Sequence, residues 1–183
     1  MNFSIKGKVF KYINNLKLKR FIKNKKFWFI DIPRTSSSSI RLSLYKTLGK
    51  YYGKSNIFEK GSAVQSYYID HLTTTECMLF FGQQYWEDIN KFTVVRNSWS
   101  RFYSIFGYLQ KAKKIPINMT FSCFLQETYN IFCNKNSNLN VFPKILIPQV
   151  SFLKKPNGTI DKTINVLKFE NRDEELTRYF KKF

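Results

Sequence analysis

The sequence predicts an α/β fold, a central and mainly parallel sheet flanked by helices in three layers. Two observations carry that expectation. FWFIDI (Phe27–Ile32) and KFTVVR (Lys91–Arg96) are short apolar runs, rich in β-branched and aromatic residues, of the buried-strand kind. Each runs through a brief polar turn into a segment with helical spacing of its apolar residues. Two strand–turn–helix units, with enough chain between them for a crossover, build a parallel sheet with helices on its faces.

Taken in order, Pro33 ends the first run because proline gives no N–H to a sheet ladder. Four serines follow, and Ile40, Leu44 and Leu48 then recur at helical spacing. Gly53 to Asp70 reads as a polar excursion, with a short strand over Val64–Ile69 and His71 at its end. TTTECMLFFG (Thr73–Gly82) predicts a short helix with a threonine cap, Glu76 near its start and Gly82 as its stop. After Arg96, NSWSRFYSIFGYLQKAKK predicts a helix with Trp99, Phe102, Phe106 and Leu109 on its apolar side. Thr120–Cys133 predicts another, with Phe121, Phe124, Leu125, Thr128 and Phe132 inside. Asn134–Asn140 is a polar loop. KILIPQVSFL (Lys144–Leu153) reads as extended, broken at Pro148. KPNGT is a turn by composition, and TINVLKF (Thr163–Phe169) is a third strand. ENRDEELTRYFKKF closes the chain as a helix, acidic first and basic last, as the helix dipole favours. No repeat or linker divides the chain, so residues 1–183 form one domain, with 1–25 as a basic lead-in.

The net charge is 31 − 12 = +19, which calls for an anionic partner: a nucleotide, an acidic glycan, a nucleic acid or an acidic membrane surface. The basic N-terminus can lie against such a membrane as a peripheral contact. It lacks the apolar core and cleavage site of a signal peptide, and no apolar run reaches the roughly 18 residues that span a bilayer. Three cysteines, an odd count without a C-x-x-C pair, fit free thiols in a reducing compartment. The expectation is a soluble, cytoplasmic protein. With a single histidine, a zinc site is not expected.

The turn after the first strand combines Arg34, Thr35 and Ser36, Ser37, Ser38 and Ser39 with the N-terminus of a helix. Those N–H and O–H donors suit a phosphate or sulfate dianion. It is not a Walker loop, since G-x-x-x-x-G-K-(S/T) is absent and the turn has no glycine. The second unit offers Arg96 at a strand end, then Arg101 and Ser104 one helical turn apart on one face. Two guanidinium groups and a hydroxyl make a second anion site. Two such sites on neighbouring strand ends call for a ligand with two separated anionic groups.

At this point a resemblance becomes specific. IPRTSSSSI resembles the 5′-phosphosulfate loop of sulfotransferases, written PKTGGTS or PKTASTS, and FTVVRNSWSRFYSIF resembles their 3′-phosphate motif, V-R-(N/D)-P-x-x-R-x-x-S. DHLTTTECMLFFG is similar to the segment around the candidate base histidine of carbohydrate sulfotransferases of the 2-O type. PQVSFLKKPNGTIDKTINVLKFEN is similar to their pattern of a glutamine, an aromatic-rich strand, a turn and a strand ending in Phe-Glu. The four blocks stand in family order over most of Phe27–Asn171.

The resemblance implies a P-loop-like fold and a transferase that uses 3′-phosphoadenosine 5′-phosphosulfate as co-substrate, without a metal. It implies that Arg34, Thr35 and Ser36 to Ser39 hold the 5′-phosphosulfate. Arg96 and Ser104, with Arg101 nearby, would hold the 3′-phosphate. His71 would be the base that deprotonates an acceptor hydroxyl, most naturally on a glycan, and Arg34 would stabilise the leaving phosphate. The match departs in three places: Arg34 stands where the family has lysine, serines replace the loop glycines, and Ser98 replaces the proline. Relatives also continue with further helices beyond the point equivalent to Phe183. The rivals are a catalytically impaired nucleotide-binding protein of the same fold and a basic nucleic-acid-binding module. The latter ranks last because it leaves the paired units unexplained.

Overall fold

The computed structural model describes residues 27–48, 71–133 and 143–182. The basic lead-in, the Gly53–Asp70 excursion with its expected strand, and the Asn134–Asn140 loop lie outside them. Strands β1 (Phe27–Ile30), β2 (Asn90–Val95) and β3 (Ile164–Lys168) form an all-parallel sheet in the order β1-β2-β3. Phe29 pairs with Phe92, and Val94 with Leu167. Because side chains alternate along a strand, this register sends Phe27, Phe29, Phe92, Val94 and Leu167 to one face. Trp28, Ile30 and Ile164 go to the other.

The first face packs against helix α1 (Ser37–Leu48) through Ile40 and Leu44. Tyr179 joins it from the helix that follows β3. The second face is covered by α2 (Thr74–Phe81), α3 (Gln83–Asp88) and a 3₁₀ turn at Gln149–Leu153, through Cys77, Met78, Trp86, Phe152 and Leu153. The protein is thus a three-layer α/β fold, helices on both faces of a parallel sheet. Helices α4 (Ser98–Lys111), α5 (Phe121–Phe132) and α6 (Pro143–Leu146) build a further apolar cluster from Ile105, Phe106, Leu109, Phe124, Ile145 and Leu146. After β3 a 3₁₀ turn at Phe169–Asn171 leads into α7 (Arg172–Phe180).

Several sequence expectations hold with local causes. Helix α2 starts in a capping box: Thr73 accepts from the Glu76 N–H, and the Glu76 carboxylate accepts from the Thr73 N–H. Gly82, at φ 91°, stops it in a conformation that disfavours any side chain. Helix α7 carries Asp173, Glu174 and Glu175 in its first turn and Arg178 in its last.

Others are corrected. Lys144–Leu153 is not extended: it is α6 and a 3₁₀ turn on either side of Ile147 and Pro148. Its carbonyls have side-chain partners in place of a strand, with Ile145 O and Ile147 O accepting from Arg101 and Phe152 O from Thr74. Helix α3 was not expected, since QQYWED shows no period. It forms around Trp86, fully buried, whose indole N–H donates to Asp161 at 2.8 Å. Trp99 is 69% exposed, because Arg101, Ile105 and Leu109 define the inner face of α4 and Trp99 points away from it. Phe132 is 50% exposed as the last residue of α5.

Candidate functional site

The two predicted turns lie side by side at the carboxyl ends of β1 and β2, adjacent parallel strands. In the first, Arg34 and Ser36 have φ of 66° and 76°, two left-handed residues separated by one. Such alternation turns successive N–H groups toward one concavity, a form suited to anions. The α1 helix then begins at Ser37, and its first N–H groups have no intrahelical partner. Among the described residues no acceptor is bonded to the N–H of Ser37, Ser38 or Ser39. No acidic residue occupies the first turn of α1 to answer its positive end.

The hydroxyls of this turn divide. Ser38 and Ser39 are exposed, while Ser37 is buried. The Thr35 hydroxyl donates inward to Ile32 O at 2.9 Å, so it shapes the turn and is not available to a ligand. That corrects the expectation of Thr35 as a side-chain donor. Ser36 Oγ accepts from Arg172, a residue sequence reasoning did not single out, at 2.7 Å.

Arg34 bridges the two turns. Its Nε and Nη2 donate to Ser104 Oγ at 3.1 and 3.0 Å, and its guanidinium lies 5.0 Å from the centre of the Tyr108 ring. Arg96 donates from Nε to Ser100 at 2.7 Å and stacks 4.3 Å from the centre of Phe169. Its Nη1 lies 3.5 Å from Arg34 O. Burial, and then the Arg34 charge, push its pKa below the usual arginine value. Two cations thus face one locus, and neither forms an ion pair with a carboxylate among the described residues.

Arg101 does not join them. It is 1% exposed and donates to Pro33 O at 3.0 Å, Ile147 O at 3.2 Å and Ile145 O at 3.0 Å. Burial pushes its pKa down to about 10, which still leaves it charged at neutral pH. The expected second guanidinium of the 3′-phosphate site is instead a clamp that ties the first turn and α6 to α4.

The second turn is closed by neighbours. The Gln149 side chain accepts from the Arg96 N–H at 2.9 Å and donates to Arg96 O at 2.8 Å. The Asn97 N–H donates to Glu170 at 2.7 Å, and the Asn97 side chain caps Ser100 N. Gln149, Phe169 and Glu170 belong to the motif blocks read in the sequence, but nothing there assigned them these tasks.

His71, at φ 61°, sits beside the entrance to the first turn. Its Nδ1 lies 3.0 Å from Asp31 O, so the Nδ1–H donates to that carbonyl and the lone pair is left on Nε2. The buried Asp31 carboxylate lies 3.4 Å from the same Nδ1 and, through its other oxygen, 3.2 Å from Arg41 Nε. Burial works against a charged ring, but the hydrogen bonds and charge of Asp31 outweigh it, and the His71 pKa is raised above 6.5. Asp31 was legible only as a charge inside an apolar strand run.

Comparison with family models, characterised proteins and solved structures gives no match. Among the described residues no cluster of acidic, cysteine and histidine side chains could hold a metal, and no helix is long and apolar enough to cross a membrane.

Proposed function

We propose that this protein is a sulfotransferase that moves a sulfuryl group from 3′-phosphoadenosine 5′-phosphosulfate to a hydroxyl, most naturally on a carbohydrate. The observation that carries the reading is the Arg34–Ser104 contact, which joins the two resembling motifs at one locus on adjacent strand ends. A ligand with two anionic groups fits a turn with open helix N–H groups beside a pair of arginines that form no ion pair with a carboxylate among the described residues.

In this reading the 5′-phosphosulfate lies over the Ser36–Ser39 turn and the 3′-phosphate beside Arg96 and Ser104. The acceptor oxygen attacks sulfur, and its proton passes to His71 Nε2. The bond from sulfur to the bridging phosphate oxygen breaks. The charge that grows on that oxygen meets Arg34 and the first N–H groups of α1. Asp31 fixes the His71 tautomer that leaves Nε2 able to accept.

A second reading, a nucleotide-binding protein without turnover, is favoured by Arg34 itself. A guanidinium stays charged and cannot deliver a proton to the leaving phosphate as a lysine can. Calorimetry with 3′-phosphoadenosine 5′-phosphate, against ATP and 5′-AMP, tests what both readings share. Binding that requires the 3′-phosphate and is lost in Arg96→Ala is expected. A chain that binds none of these nucleotides rules both readings out and moves the nucleic-acid module forward. Sulfate transfer to glycan acceptors by the wild type but not by His71→Ala would separate the first reading from the second.

A further inference from the structure

The third cation at the turn is Arg172, the first residue of α7, and the sequence motifs do not account for it. Its Nη1 donates to Ser36 Oγ at 2.7 Å. Its Nε donates at 2.7 Å to Asp173, which is 83% exposed on its side chain. Among the described residues its Nη2 has no hydrogen-bond partner. The side chain is 31% exposed, so it reaches solvent at the mouth of the turn.

The placement runs against elementary electrostatics. A cation beside the positive N-terminus of a helix is unfavourable, and α1 has no acidic residue in its first turn to offset it. Arg34 and Arg96 already stand at the same turn, one in it and one against its carbonyl. The carboxylates in the first turn of α7, Asp173, Glu174 and Glu175, offset part of this third charge, but among the described residues none of them pairs with Arg34 or Arg96. The contact to Ser36 is to a neutral hydroxyl, and among the described residues Asp173 is the carboxylate that forms an ion pair with Arg172.

We infer that Arg172 is a binding residue for the anionic group held at the turn after β1. Under the proposed function that group is the 5′-phosphosulfate, and the inference rests on that reading. Asp173 is then a resident competitor: it holds the guanidinium beside Ser36 until the ligand replaces it. The segment from Phe169 to Arg172 consequently serves both turns, with Phe169 beneath Arg96, Glu170 on the Asn97 N–H and Arg172 on Ser36.

The test is a comparison of two nucleotides on several variants by calorimetry. Adenosine 3′,5′-bisphosphate carries both groups, and adenosine 3′-phosphate lacks the one at issue. Arg172→Ala is expected to weaken the bisphosphate at least about tenfold, the scale of one charge-assisted hydrogen bond, and to leave adenosine 3′-phosphate within about twofold. Arg172→Lys should restore much of the loss. Asp173→Asn should tighten the bisphosphate alone. Equal losses for both nucleotides, or none for either, would overturn the assignment and leave the nucleotide-binding reading standing. If the wild type binds neither nucleotide, both fall together. Should Arg172→Ala fail to fold, the exposed Asp173→Asn variant decides: tighter bisphosphate binding supports the assignment, and unchanged binding removes it.

Discussion

The turn after β1 and the turn after β2 follow one plan in sequence, a buried strand, a few polar residues and a helix. Their hydrogen bonding differs in how much of the backbone the rest of the protein holds. In the second, Gln149 holds both backbone groups of Arg96, Glu170 takes the Asn97 N–H, and Asn97 caps Ser100. Its backbone is tied down at Arg96, Asn97 and Ser100, which leaves only the N–H groups of Ser98 and Trp99 without an acceptor among the described residues. In the first, the α1 N–H groups at Ser37 to Ser39 meet no protein acceptor among the described residues. The backbone itself is what that turn offers. The same pattern thus yields one turn whose backbone donors are unpartnered among the described residues and one mount for Arg96 and Ser104. The two halves meet through Arg34.

The contrast is sharpest between the two arginines of the second motif. Arg101→Met should lower stability by about 3 kcal/mol or more, since it strips buried carbonyls of Pro33, Ile145 and Ile147 of their donor. Arg96→Ala, at a half-buried site, should cost no more than about 1 kcal/mol yet abolish nucleotide binding. Urea denaturation of both variants, beside calorimetry, reads the split. If Arg96→Ala proves the more destabilising, the division between clamp and ligand-binding residue is reversed.

Gln149→Ala comes next, at about 1–2 kcal/mol, because it unpairs the Arg96 N–H and carbonyl together. Asn97→Ala loses a helix cap and should cost about 1 kcal/mol. In the first turn the matching changes, Ser38→Ala and Ser39→Ala, should move stability by less than about 0.5 kcal/mol, since both side chains are exposed. Denaturation midpoints across this set would show whether one turn is built and the other left open. Comparable losses in both turns would remove the contrast.

Much of the frame was legible in the sequence. Apolar runs marked all three strands, and Thr73, Glu76 and Gly82 marked α2, because strand burial and helix caps are local properties. Lys144–Leu153 was misread because an apolar run of that length suits a strand or a buried helical turn equally. Only the distant Arg101 and Thr74 decide where its carbonyls go. Arg34, Ser104 and Arg96 were legible as candidates, but not that Arg34 would reach Ser104. Arg101 looked like an equal partner of Arg96, since spacing on one helix says nothing of which side chain the core will take. Arg172 carried no signal, because its proximity to Ser36 follows from how β3 and α7 close on α1.

The smallest effect concerns the first unit alone, whose entrance carries the one histidine of the chain. The His71 pKa is raised: burial and the Arg41 charge lower it, but the contacts to Asp31 prevail. A group whose folded pKa is raised stabilises the fold fully below its unfolded value and loses that contribution as pH rises through the folded one. The Asp31–His71 pairing should therefore add stability below about pH 6.5 and fade above it. Asp31→Asn should flatten that dependence and lower the ring's titration midpoint. With a single imidazole, NMR reads the midpoint without ambiguity. For turnover the sign is opposite, because only the neutral ring accepts a proton. The acid limb of the rate should lie above 6.5 in the wild type and move down in Asp31→Asn. A wild-type midpoint below 6.5 would mean that burial, and not Asp31, governs His71. The ring would then gain nothing in basicity from its place beside the first turn.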